Sequence, residues 1–112
     1  MGQTQTVIFA PRAIRDLEDI VRFISRHIGC ETAERFGNRL IDKSLTLCSL
    51  PERGRIVPET ELPYREIIYK SYRIIYRLNG DNVEIIRFWH AARGLPEIDS
   101  DAFGRGNPPS GN

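Results

Sequence analysis

Tyr72-Arg73-Ile74-Ile75-Tyr76-Arg77-Leu78-Asn79-Gly80-Asp81-Asn82-Val83-Glu84-Ile85-Ile86-Arg87-Phe88-Trp89-His90 reads as two strands around a turn. Asn79-Gly80-Asp81-Asn82 is a hairpin signal, because Asn and Gly tolerate the left-handed conformations that tight turns need. The flanking runs, 72–78 and 83–90, are rich in β-branched and aromatic residues that suit a pleated surface. A symmetric turn predicts Leu78 opposite Val83, Tyr76 opposite Ile85, Ile74 opposite Arg87 and Tyr72 opposite Trp89. On the other face it sets Arg77 against Glu84, Ile75 against Ile86 and Arg73 against Phe88. The first set is mostly apolar and is expected to pack on helices. The second is mixed, with Arg73, Ile75, Arg77, Glu84, Ile86, Phe88 and, one same-face step beyond, His90. Arginines among apolar and aromatic groups suit either a nucleic acid or an apolar protein segment with acidic flanks. They equally suit a plain outer face, with Arg77 and Glu84 as a cross-strand ion pair.

Working back along the chain, residues 64–69 form another β-type run. The stretch 51–63, with Pro51, Pro58, Pro63 and Gly54, is a loop. A helix is predicted over about 31–50: Ala33, Phe36, Leu40, Ser44 and Leu47 form a stripe widened by Ile41, Leu45 and Cys48, and Gly37 is its weak point. Pro51 stops it. An earlier helix opens at Pro11 and carries Ile14, Leu17, Val21, Ile24 and Ile28 on one side. Arg12, Arg15, Asp16, Glu18, Asp19 and Arg22 lie on the other side, and Gly29 is placed as a C-cap. Residues 6–10 begin the chain as a short strand. The order is therefore β-α-α-β-β-β, an α+β fold with a helix hairpin on one face of a small antiparallel sheet. The expected domain covers residues 1–94. Residues 95–112, polar and rich in Gly and Pro, are expected to form a disordered tail.

A chain of 112 residues suits one domain, and 40% hydrophobic with 28% charged residues is a globular composition. A net charge of +1 leaves any basic site local rather than global. Cys30 and Cys48 form neither a metal pattern nor a disulfide framework, and reduced thiols are expected. No run reaches the length of a membrane span, and the first residues lack a secretory signal's basic and apolar regions, so a cytoplasmic protein is expected.

Nucleophile motifs, a phosphate-binding glycine loop and a metal cluster are all missing from the sequence, so no metal or cofactor is expected. Any catalysis would be metal-free, with arginines stabilising a phosphate transition state and His90 carrying a proton. His90 would otherwise bond a loop carbonyl. His27 sits where the first helix ends, and a cation there complements the helix dipole.

Several stretches resemble the RelE/ParE toxin superfamily in order and spacing. They are Ala10-Pro11-Arg12-Ala13-Ile14-Arg15-Asp16-Leu17, Leu50-Pro51-Glu52-Arg53-Gly54-Arg55, Tyr64-Arg65-Glu66-Ile67, Tyr72-Arg73-Ile74-Ile75-Tyr76-Arg77 and the run from Val83 through His90-Ala91-Ala92-Arg93. The resemblance covers about residues 6–94. It implies a toxin of a bacterial type II toxin–antitoxin pair, neutralised by a cognate antitoxin and touching operator DNA only through it. RelE-like members cut mRNA in the ribosome without a metal, whereas ParE-like members poison DNA gyrase. Arg73, and Arg65 in the preceding strand, match the nuclease pattern. However, Ala91 and Ala92 stand where nucleases usually carry an arginine, and no tyrosine follows Tyr76. The ending His90-Ala91-Ala92-Arg93 is closer to the His-x-x-Arg of ParE-like chains. Gyrase, the ribosome with mRNA, and a decayed binding module that is no longer toxic are the three readings, with ParE-like the nearer. The residues implied at the target or antitoxin surface are Arg65, Arg73, Ile75, Arg77, Phe88, His90 and Arg93. Arg73, His90 and Arg93 are the catalytic candidates if the protein is a nuclease.

Overall fold

The computed structural model describes residues 4–98. Two helices, α1 (Pro11–His27) and α2 (Cys30–Leu45), pack on a five-stranded sheet of β1 (Thr6–Phe9), β2 (Arg55–Ile56), β3 (Arg65–Tyr69), β4 (Tyr72–Asn79) and β5 (Asn82–His90). The strand order is β1-β5-β4-β3-β2. The expected α+β architecture and element order are found, with two additions. β1 runs parallel to β5, so the sheet is mixed rather than antiparallel. β2 is a two-residue strand inside the expected loop, pairing Arg55 with Glu66 and Ile56 with Arg65. Pro11 sits in the first turn of α1, where its missing N–H costs no bond. α2 ends earlier than expected and continues as a 3-10 turn, Thr46–Cys48. No helix among the described residues is long and apolar enough to cross a membrane.

The hairpin register holds only near its turn. Leu78 faces Val83, Arg77 faces Glu84 and Tyr76 faces Ile85, and then a bulge intervenes. Ile86 is the extra residue, and beyond it Ile75 pairs with Arg87, Ile74 with Phe88, Arg73 with Trp89 and Tyr72 with His90. The predicted pairs of Arg73 with Phe88 and Ile74 with Arg87 are therefore wrong. The physical reason is in the residues. An unbroken ladder would drive Arg87 into the helix-side core and Phe88 out of it. One inserted residue reverses both and re-aims the end of the strand. Phe88 then stacks with Phe9 at 6.3 Å, and the Arg87 guanidinium lies 4.9 Å over the Trp89 ring.

The helix-side face carries Tyr72, Ile74, Tyr76, Ile85 and Phe88, with Phe36 of α2 packed against Tyr69 and Tyr72. α1 meets the sheet through Ala13, Asp16 and Ile20, its buried residues, while Ile14 and Ile28 of the expected stripe are exposed. The stripe is displaced because α1 also packs sideways on α2. There Gly37 is required: a Cβ on it would come within 2.9 Å of Val21 Cγ2. Gly54 fills a similar role below the sheet, where a Cβ would meet the Glu66 carbonyl at 2.7 Å. Its N–H donates to the Tyr76 hydroxyl, which donates to the Pro51 carbonyl, and this pins the loop after α2 to the sheet.

The opposite face was expected to be open and is not. Val57 and Tyr64 are buried, and Glu59 from the loop between them reaches Arg73 on that face. The segment after β5 also folds back: Trp89 Nε1 donates to the Gly94 carbonyl, Arg87 donates to that of Glu97, and Ile98 packs on the core. Glu97 and Ile98, assigned to the tail by composition, thus carry contacts, and residues 99–112 of the expected tail lie outside the described residues.

Candidate functional site

Of the residues expected on a binding face, Ile75 is fully buried, Phe88 is on the helix side, and Arg73 is 7% exposed. Arg73 is held between two carboxylates: Nε donates to Glu66 at 2.5 Å and Nη2 to Glu59 at 2.7 Å. Burial alone would lower its pKa, but the hydrogen bonds it donates to Glu59 and Glu66 outweigh that and raise it, so the guanidinium stays charged. Arg55 shares Glu66 from the sheet edge, which makes a chain of alternating charges. Arg77 donates to Glu84, and Arg65 donates to the Gly54 and Glu52 carbonyls at 2.8 and 3.2 Å. These arginines hold the sheet and its covering loops together.

Arg87 is treated in the same way. β1 ends at Phe9 opposite Ile85, so the Phe88 N–H has no strand neighbour there. Asp16 of α1 takes the place of that strand. Its carboxylate accepts from Phe88 N at 3.0 Å and from Arg87 Nε and Nη2 at 2.7 and 3.0 Å. Asp16 was expected on the polar side of α1, and the structure buries it. Among the described residues every buried side-chain nitrogen and oxygen has a partner.

His90 and Arg93 lie elsewhere. His90 faces Tyr72 on the helix side, so it is separated by the sheet from Arg73, contrary to the predicted single cluster. A groove of about 290 Å³ opens here between α1 and the end of β5, lined by Asp19, Ile20, Phe23, Tyr72, His90 and Arg93 among others. The His90 ring meets Tyr72 edge-on at 4.9 Å. Its Nδ1 accepts from the Ala92 N–H at 3.0 Å. A backbone N–H can only donate, so the neutral ring carries its proton on Nε2. Burial raises the Tyr72 pKa above the ordinary phenol value, which keeps it un-ionised at neutral pH. Arg93, in the 3-10 turn Ala91–Arg93, stacks its guanidinium 3.9 Å above the Trp89 ring. Phe23 forms the outer rim, stacked on His27 at 4.1 Å.

Residues 7–95 match the family model of the ParE toxin of the type II toxin–antitoxin system parDE. The chain belongs to that family. A chain of the chromosomal ParDE toxin–antitoxin system from P. aeruginosa shares the ParE toxin's fold, with TM-score 0.70 and 20% identity over 80% of this chain and 98% of that one. A chain of the toxin–antitoxin complex RelBE2 from Mycobacterium tuberculosis also shares it, with TM-score 0.60 and 24% identity over 78% and 98%. No curated protein sequence matches the chain.

In this ParE toxin the groove offers one stacked guanidinium, one imidazole Nε2–H and an aromatic rim. Those groups can bind, since both polar ones are donors in the neutral-histidine state. The Nδ1 lone pair of His90 is taken by the Ala92 N–H, so the neutral imidazole presents only its Nε2–H to the groove. Phe23 was missed in the sequence. The signal was present: an aromatic at position 23 falls outside the stripe Leu17, Val21, Ile24, which puts a large ring on the polar side of a helix.

Proposed function

We propose that this ParE-family toxin acts by binding DNA gyrase rather than by cutting mRNA, and that its cognate antitoxin holds it inactive in the bacterial cytoplasm. One observation carries this reading. Arg73, the arginine that a metal-free nuclease would aim at a phosphate, is buried between Glu66 and Glu59. A phosphate would have to displace two carboxylates to reach it. His90, the other half of such machinery, lies across the sheet with its basic nitrogen occupied. The antitoxin surface expected around Arg73 and Ile75 is likewise covered by the toxin's own chain. The reading moves it to the edge of the helix hairpin, where Phe9, Ile14, Leu17 and Ile41 line a purely apolar hollow.

The test is expression in cells without the antitoxin. Growth arrest with induction of the DNA-damage response, stable mRNA and loss of supercoiling activity in gyrase assays is the expected result. Arrest with rapid ribosome-dependent mRNA cleavage, or no arrest at all, would overturn it.

A further inference from the structure

The groove between α1 and the end of β5 has two walls of different chemistry. One is aromatic and apolar. Phe23 is 60% exposed, yet its ring is fixed by stacking on His27, whose Nδ1–H donates to the Phe23 carbonyl at 2.8 Å. Ile20, Tyr72 and Phe88 continue this wall inward. A large ring held in place at the mouth of an apolar hollow suits an anchor.

The other wall carries Arg93. Of the sheet's own arginines, Arg55, Arg73, Arg77 and Arg87 are each paired with a carboxylate, and Arg65 donates to two backbone carbonyls. Arg93 has no such partner among the described residues. Its guanidinium sits 3.9 Å over the Trp89 ring, and the residue is exposed and lines the groove, so its N–H donors are open to a ligand. That fork matches a carboxylate in bidentate fashion. The Nε2–H of His90 adds a neutral donor in the same groove.

The remaining groups narrow the occupant. Asp16 and Asp19 also line the groove. Asp16 is spent on Arg87 and Phe88, but Asp19 is exposed and held only by Arg22 at 3.0 Å. A run of phosphates would press repeated negative charge against it, and a net charge of +1 gives no compensating field. A protein segment with a single carboxylate escapes that conflict.

We propose that this groove is the toxin's docking site for its target, and that it takes a gyrase segment bearing an Asp or Glu beside a large apolar side chain. The carboxylate pairs with Arg93, and the apolar group packs between Phe23 and Ile20. This rests on the gyrase reading above.

The experiment uses toxin released from its antitoxin complex and titrated against purified gyrase A and B subunits. Phe23→Ala and Arg93→Gln each weaken binding by about tenfold or more, the scale of an interface anchor. Arg93→Lys behaves like Arg93→Gln, because it keeps the charge and loses the fork. Both side chains are exposed, so circular dichroism melting curves stay at the wild-type position. A Phe23→Ala/Arg93→Gln double variant with wild-type affinity for gyrase overturns the docking site and leaves the gyrase reading standing. Wild-type toxin that binds neither subunit overturns the gyrase reading instead. Wild-type binding to single-stranded RNA that the same two substitutions abolish overturns the choice of a protein segment.

Discussion

Asp16 and Arg87 are each other's reason for being buried. An isolated charge in the interior costs several kcal/mol, and removing one partner of a buried pair leaves that cost uncompensated. Asp16→Ala should therefore destabilise the toxin by about 3–5 kcal/mol in urea unfolding, close to the whole stability of a small domain. Asp16→Asn, which keeps an acceptor for the Phe88 N–H, should cost less. Glu59 makes a different prediction. Hydrogen bonding to Arg73 holds its carboxyl below the ordinary value of 4.5. A carboxyl depressed in the folded state stabilises above its unfolded pKa and loses that contribution as pH falls through the folded one. Glu59→Gln should thus unfold at lower urea than wild type at pH 7, with the two curves converging well below the usual carboxylate range. Equal separation at both pH values would remove Glu59 from the account. In the sequence, Asp16 was hidden by its neighbours. The sheet-facing stripe is Ala13, Asp16 and Ile20, and an alanine and an aspartate do not announce a buried face. Arg73 was read as a binding or catalytic arginine, and in the structure it is buried between two carboxylates. Its partners were not visible, because Glu59 and Glu66 reach it from a loop and a neighbouring strand.

The hairpin elements show where local chemistry was sufficient. The turn at Asn79-Gly80-Asp81-Asn82 and the first three strand pairs followed from the turn residues alone. The bulge at Ile86 did not, because Ile85 and Ile86 are both apolar and carry no alternation to break. What demands it is the core beyond, which accepts Phe88 and rejects Arg87. The helix hairpin was legible in its existence and in the break between its helices, where Gly29, one residue past the α1 cap, has a φ of +148° that favours glycine. The contact between the helices was not legible: Gly37 looked like a weak spot and is a packing requirement. Replacing it with alanine adds up to about 1 kcal/mol of helix propensity, yet it drives a methyl into a β-branched side chain with one preferred rotamer. Overpacking of this kind costs about 1–3 kcal/mol. Gly37→Ala should lower thermal stability, and Val21→Ala in that background should restore part of it. Simple additivity in the double-mutant cycle would separate the two positions.

Taken whole, the molecule spends most of its sheet arginines on itself, which is why a scan for basic residues on strands points to the wrong face. Strand parity set His90 on the face of Arg73, whereas the structure puts it on the other, in a groove that Arg93 also lines. The separation from Arg73 came from the bulge. If the toxin grips its target through one or two charges, binding should depend weakly on salt. The logarithm of affinity should fall by about 1–2 per decade of salt, against the steep slope of a polyphosphate binder. A steep slope would return nucleic acid to consideration. The parallel pairing of β1 with β5 bears on how the toxin is made. Residues 6–9 find their partners only in residues 82–85. The first strand translated has no neighbour until the last one has been synthesised, and contacts so distant in sequence form late. The groove beside α1 is likewise incomplete until β5 has been made, since His90 is the last residue of that strand and Arg93 follows it. If that groove is the docking site proposed above, translation that stops before β5 yields no chain able to dock, and the antitoxin has until then to be present.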